Sequence, residues 1–172
     1  MDRSPPIVCF VGRSGSGKTT LLVEVIRELG ARGYRVASVK HDVHGATLDT
    51  EGKDSWRHKE AGAETVVLVA PGRLVSVSDC ASEPSLPAIG SRFAADADIL
   101  IVEGFKRAPE PKIEVARAGL ARELLLGAED GLIAVATDFA VEAGVPRLDL
   151  NAPEAVADFI ESRFLPLRGA RA

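Results

Sequence analysis

Apolar residues recur along the chain in two rhythms, and the alternation between them predicts the architecture. Ile7 to Val11 is a short β-branched and aromatic run that ends at a glycine, the pattern of a strand buried on both faces. Leu21, Leu22, Val25, Ile26 and Leu29 then return at helical spacing with Glu24, Arg27 and Glu28 between them. This predicts an amphipathic helix ending near Gly30 or Gly33. Tyr34 to Val39 reads as a second strand, so the first forty residues predict one βαβ unit with a parallel, right-handed pair. Residues 41–53 lack periodicity and read as a long loop, followed by a short helix over Asp54 to Ala63. Thr65 to Val69 and Arg73 to Val77 flank Ala70-Pro71-Gly72, a hairpin pattern. Ser82 to Ser91 reads as a loop running into a short helix. Ile99 to Val102 and Leu132 to Ala136 are buried strands, whereas Lys112 to Arg117 alternates apolar and polar residues, as a half-exposed strand would. Asn151-Ala152-Pro153-Glu154 reads as a helix start with Asn151 as the cap. Val156, Phe159, Ile160 and Phe164 share a face of that helix.

Composition narrows the class. The 172 residues predict one domain over 1–172, with a frayed tail from 166 to 172. At 46% hydrophobic and 27% charged, the chain can build a core and is not of disordered type. The net charge of -4 offers no bulk attraction to nucleic acid. No apolar run reaches about 18 residues, so no membrane partner is expected. The N-terminus lacks signal-peptide architecture. Two cysteines, Cys9 and Cys80, cannot make a disulfide framework and read as reduced thiols of a cytoplasmic protein.

Gly12-Arg13-Ser14-Gly15-Ser16-Gly17-Lys18-Thr19 matches the phosphate-loop pattern at every fixed position, between a strand and a helix. Glycines 12, 15 and 17 allow a tight nest of inward N–H groups at the positive end of the helix. Lys18 supplies a charge for the terminal phosphates, Thr19 a hydroxyl for Mg²⁺, and Thr20 a hydrogen bond to the α-phosphate. A nucleoside triphosphate is therefore the expected ligand.

Such a loop needs an acid for the metal from a neighbouring strand end. Glu103, after Ile99 to Val102, sits at the carboxyl edge of its strand, whereas Asp98 lies at the opposite edge. Glu103 could hold the metal or polarise water. Lys40 and His41 also end a strand at the carboxyl edge. The charged loop beyond contributes Asp42, Asp49, Lys53, Asp54, Ser55, Arg57 and His58, of which Asp49, Lys53 and Asp54 are the favoured phosphate-site candidates. His44 reads as a surface residue, and the three histidines match no zinc spacing. Lys106, Arg107, Lys112 and Arg117 are bases near Glu103 that could meet an anion. Thr137-Asp138 ends a late strand and is a degenerate counterpart of the Asn-Lys-x-Asp guanine-reading pattern, which is absent. Asn151 is a second candidate for the base pocket.

Gly12 to Thr20, Val39-Lys40-His41, Gly52 to His58 with Ala61-Gly62-Ala63, Ile99 to Lys106, and Lys112 to Val115 with Arg117 occur in this order. Together they resemble the molybdopterin-guanine dinucleotide biosynthesis adapter family (MobB), over roughly residues 5 to 165. The resemblance implies an α/β P-loop NTPase with a mostly parallel sheet, flanking helices and a β-hairpin insertion. It implies GTP and Mg²⁺ as ligands, a homodimer and weak GTP hydrolysis at most. It also implies partnership with molybdopterin, the molybdenum cofactor guanylyltransferase and the molybdenum-insertion protein. A groove of Lys106, Lys112 and Arg117 would suit the anionic pterin. The alternative is a small-molecule kinase moving the γ-phosphoryl of ATP or GTP, although no arginine-rich lid helix is evident. A metallochaperone would need clustered Cys or His ligands that the chain does not offer.

Overall fold

A computed structural model describes residues 4–42 and 50–166. His44 and Asp49 thus lie outside the described residues. The contacts divide the described chain into two compact units, one reaching His41 and resuming at Ser85, the other within Asp42–Pro84.

The larger unit is an all-parallel six-stranded sheet with helices on its faces. Its strands are β1 (Ile7–Val11), β2 (Val36–Lys40), β5 (Ile99–Glu103), β6 (Lys112–Ala116), β7 (Leu132–Thr137) and β8 (Arg147–Asp149). Its helices are α1 (Lys18–Ala31), α3 (Leu86–Phe93) and α4 (Pro153–Phe164). The strand order is β2-β5-β1-β6-β7-β8. Every residue of β1 is buried. Val8 and Phe10 face the core shared with Leu22, Val25 and Leu29 of α1 and Val156 and Ile160 of α4. Ile7, Cys9 and Val11 face the other core, with Leu86, Leu100 and Val102. Burial pushes the Cys9 thiol up to about 12, so it stays protonated and inert.

Two expectations are corrected. β1 and β2 run parallel, but β5 lies between them, hydrogen-bonded to both. The helical crossover sets strand direction but leaves room for a strand arriving from later in the chain. Second, β6 is buried at every position because it is a central strand. Its polar side chains face the backbone of covering loops. The Glu114 carboxylate accepts the N–H groups of Leu125 (2.8 Å) and Leu126 (3.0 Å). Lys112 Nζ donates to the carbonyls of Ala108, Glu110 (3.1 Å) and Asp130 (2.7 Å). Buried polar groups survive when each finds a partner. Lys112, 1% exposed, lines no anion groove. Burial raises the Glu114 pKa, partly offset by those two amides.

α4 also departs from expectation. Its N-cap is Ala152, without a side-chain cap, and the Asn151 N–H donates instead to Asp149 Oδ1 at 2.8 Å. The short edge strand β8 carries little apolar pattern and is not evident in the sequence.

The smaller unit contains α2 (Asp54–Glu60) and an antiparallel hairpin, β3 (Thr65–Ala70) and β4 (Arg73–Ser78). Gly72, with φ of 71°, makes the turn. Lys59 ties the end of α2 to the hairpin base, donating to the carbonyls of Ala63 (2.8 Å) and Glu64 (3.2 Å) and pairing with Asp79 (2.6 Å).

Arg32, just past α1, joins α4 through Asp158 (2.7 Å) and Glu161 (2.6 Å), and Tyr34 Oη donates to Glu161 Oε1 at 2.7 Å. The Tyr34 and Arg32 hydrogen bonds hold the Glu161 carboxyl below its usual range. A lowered folded pKa stabilises above the unfolded value of about 4.3, and that stability is lost as pH falls through the folded pKa. Glu161→Gln is therefore expected to cost about 1–3 kcal/mol at pH 7, with the deficit vanishing in acid. Urea unfolding at both pH values checks this; an equal deficit at both refutes it.

Candidate functional site

The phosphate loop begins where β1 leaves the sheet. Gly12 has φ of 154°, and a Cβ there would stand 2.3 Å from the Val115 carbonyl oxygen and 2.9 Å from Ser16 Oγ. Only glycine permits this approach. Gly15 and Gly17 take φ of 77° and 91°, and Gly17 opens α1 as its N-cap. Lys18 folds back over the loop, with Nζ donating to the carbonyls of Gly12 (3.0 Å) and Arg13 (2.8 Å). Burial lowers the Lys18 pKa, the Glu103 carboxylate opposes that shift, and Lys40 reinforces it. Arg13 and Ser14 are exposed on the loop, whereas Ser16 is buried. Ser16 Oγ has no hydrogen-bond partner among the described residues.

Glu103 arrives from β5. The parallel register sets it level with Phe10 on one side and Lys40 on the other. Thr19 Oγ1 donates to Glu103 Oε1 at 2.8 Å, bringing both proposed metal-holding side chains together. Two oxygen donors suit Mg²⁺, which typically uses one or two protein ligands beside waters and phosphates. Asp98 lies at the other end of β5, accepting the Arg35 N–H at 2.8 Å.

His41 continues from β2 and donates its backbone N–H to the Glu103 carbonyl at 2.9 Å. Its ring stacks on Phe105, centroids 4.4 Å apart. Gly104, with φ of 98°, makes this possible, since a Cβ there would stand 2.9 Å from His41 Cβ.

Lys53 is the extended N-cap of α2 and Asp54 its first residue, both in the smaller unit, and the Asp54 carboxylate is 93% exposed. Thr137 is buried, and its hydroxyl accepts the Phe139 N–H at 3.4 Å. Asp138 Oδ1 accepts the Ala118 N–H at 2.8 Å, and its other oxygen lies 4.0 Å from Arg117 Nη1.

A pocket of about 300 Å³ opens beside the loop, lined by Gly17, Thr20, Leu21, Arg117 and Asn151 among others. Glu24 and Pro153 also line it. Neither carries a motif, and only the packing of α4 beside α1 brings them there.

A family model described as molybdopterin guanine dinucleotide synthesis protein B (MobB) matches residues 7–138. The chain is 40% identical over 172 residues to the molybdopterin-guanine dinucleotide biosynthesis adapter protein of Haemophilus influenzae, covering 99% of this chain and 96% of that protein. The Escherichia coli adapter protein is 36% identical over 161 residues, covering 90% and 91%. A crystal structure of a molybdopterin-guanine biosynthesis protein B superposes with TM-score 0.75 at 32% identity, covering 91% of this chain and 98% of that one. Bacillus subtilis MobB gives 0.71 at 27% identity, covering 95% and 99%.

The close passage under Val115 makes a sharp contrast between two glycines. Gly12→Ala is expected to destabilise by ~1–3 kcal/mol through overpacking. Gly30→Ala, with no described residue within 4 Å of its added Cβ, is expected to stabilise by roughly 0.5–1 kcal/mol as a helix substitution. Thermal melts without nucleotide check both, and equal effects would refute the loop geometry.

Proposed function

The chain belongs to the molybdopterin guanine dinucleotide synthesis protein B family, and on that premise we propose that it binds GTP with Mg²⁺ through Gly12 to Thr20 and serves as an adapter when GMP is joined to molybdopterin. The observation that carries the nucleotide reading is the Thr19–Glu103 hydrogen bond at the mouth of the loop. It holds a hydroxyl and a carboxylate together where a phosphate-bound cation would need them.

The loop amides at the start of α1 bind phosphate oxygens, and the helix dipole favours their charge. Lys18 exchanges its two loop carbonyls for phosphate oxygens, a charge-assisted contact stronger than the one it leaves. Mg²⁺ supplies charge neutralisation across the phosphates when bound. Glu103 holds that cation directly or through water, with the Thr19 hydroxyl as the neighbouring donor atom.

The adapter reading has the molybdenum cofactor guanylyltransferase and the molybdenum-insertion protein as partners, molybdopterin as the anionic cargo, and a homodimer as the working form. The protein acts in the cytoplasm, with hydrolysis slow at most; among the described residues no helix is long and apolar enough to cross a membrane. Relatives named as adapters support this reading, and nothing observed favours the kinase.

Lys18→Ala is expected to weaken GTP binding by more than about tenfold, measured by calorimetry with Mg²⁺; unchanged affinity refutes the loop's role. Glu103→Gln is expected to keep most GTP affinity while flattening its dependence on Mg²⁺ concentration. If that dependence persists, Glu103 is a framework residue.

A further inference from the structure

The pocket beside the phosphate loop has polar walls that phosphate binding does not require. At about 300 Å³ it matches the lower end of small-molecule sites. Leu21 from α1 and Leu150 and Pro153 at the turn into α4 give it apolar surface. Arg117 follows β6 and Asn151 follows β8, so both reach it from strand ends at the carboxyl edge of the sheet. Open parallel sheets bind ligands at that edge.

Arg117 is set in place by two features. Its Nη2 lies 3.2 Å from where a Cβ on Gly17 would stand, so the guanidinium can lie over the helix start because position 17 has no side chain. On its other side stands Asp138, itself held by the Ala118 N–H. The Arg117 side chain keeps 43% of its surface exposed. Asn151 is exposed, and Asp149 takes its backbone N–H. Glu24 is occupied by Arg27 on the solvent side.

We propose that this pocket holds the nucleoside end of the nucleotide, that Arg117 and Asn151 read its base as guanine, and that Asp138 is a positioning residue acting through Arg117. The assignment rests on the nucleotide reading above. A guanidinium only donates hydrogen bonds. Guanine offers acceptors at O6 and N7, whereas adenine places an amino donor where O6 would be. Adenine therefore sets donor against donor and leaves the Arg117 guanidinium without the base acceptor that guanine supplies. The Asn151 carboxamide supplies a further donor and acceptor at the rim, and the apolar residues cover the faces of the ring. Asp138 thus influences base choice without touching the base, because its carboxylate accepts the Ala118 N–H and lies 4.0 Å from the Arg117 guanidinium.

The experiment is calorimetry of GTP, ATP and tripolyphosphate, with Mg²⁺, on the full chain, R117Q, N151A, D138N, R117Q/D138N and K18A. The wild type is expected to bind GTP at least about tenfold more tightly than ATP, and R117Q and N151A each to erase most of that ratio. Tripolyphosphate affinity is expected to stay within about twofold in both variants. D138N is expected to lower the ratio, and R117Q/D138N to lose no more than R117Q, as for groups acting in series. A ratio preserved in both R117Q and N151A overturns the assignment, as does a wild type that binds ATP as tightly as GTP. Equal losses for GTP and tripolyphosphate also overturn it, by making these residues phosphate ligands. If wild type and K18A bind tripolyphosphate equally weakly, the phosphate-loop reading itself has failed. N151A, altered at an exposed rim, keeps the test decisive should R117Q fold poorly.

Discussion

β1 has no face toward water, and most of the site follows from that. It is hydrogen-bonded to β5 on one side and β6 on the other, with a helix-lined core on one face and a second core on the other. A strand enclosed in this way can leave the sheet only along its own axis. The exit runs directly beneath the Val115 carbonyl, where Gly12 passes and a larger residue would collide. The chain then coils into the loop and starts α1. The parallel register that buries β1 also delivers Glu103 to the same edge, within 2.8 Å of Thr19. The loop and the Thr19–Glu103 pair are therefore products of one packing arrangement, and a disturbance of the β1–β5 register would remove both.

Buried charge is handled in two ways across the larger unit. Glu114 and Lys112 are fully enclosed and hydrogen-bonded to backbone, which fixes the loops over β6. They are framework residues. Lys18, Glu103 and Arg117 are partly exposed, and their partners are loop carbonyls, a hydroxyl and one distant carboxylate. Such contacts can be exchanged for those of an anion without leaving a buried group unpaired. This difference separates the groups that hold the fold from those available to a ligand, although Glu103 and the two framework residues stand on the strands that flank β1 on either side.

Relatives named as adapter proteins match a chain that divides into two compact units, the smaller of which carries a hairpin. The hairpin of that unit exposes Val67, Leu68, Val69, Leu74 and Val75. Its short strands carry this apolar surface in addition to the buried Val66, more than a free surface hairpin needs.

What the amino-acid sequence determined by itself was local. The glycines at 12, 15 and 17, Lys18 and Thr19 stand within one turn of chain, so their chemistry is written in adjacent positions. The all-apolar strands and the acid ending one of them are equally local, and the hairpin follows from its turn residues. Tertiary structure alone decided which strand lies beside which. The insertion of β5 between β1 and β2 depends on pairing across some sixty residues or more, for which no local pattern codes. The alternation in β6 resembled a surface strand because period two reports two different faces, not which of them is wet. Loops covering one of those faces made Lys112 and Glu114 interior groups. Asn151 resembled a helix cap because cap propensity is a short-range preference. The packing of α4 against α1 instead left its side chain at the rim of a pocket shared with Arg117, more than thirty positions away. Local chemistry is readable from neighbours in the chain, whereas a pocket is defined by neighbours in space.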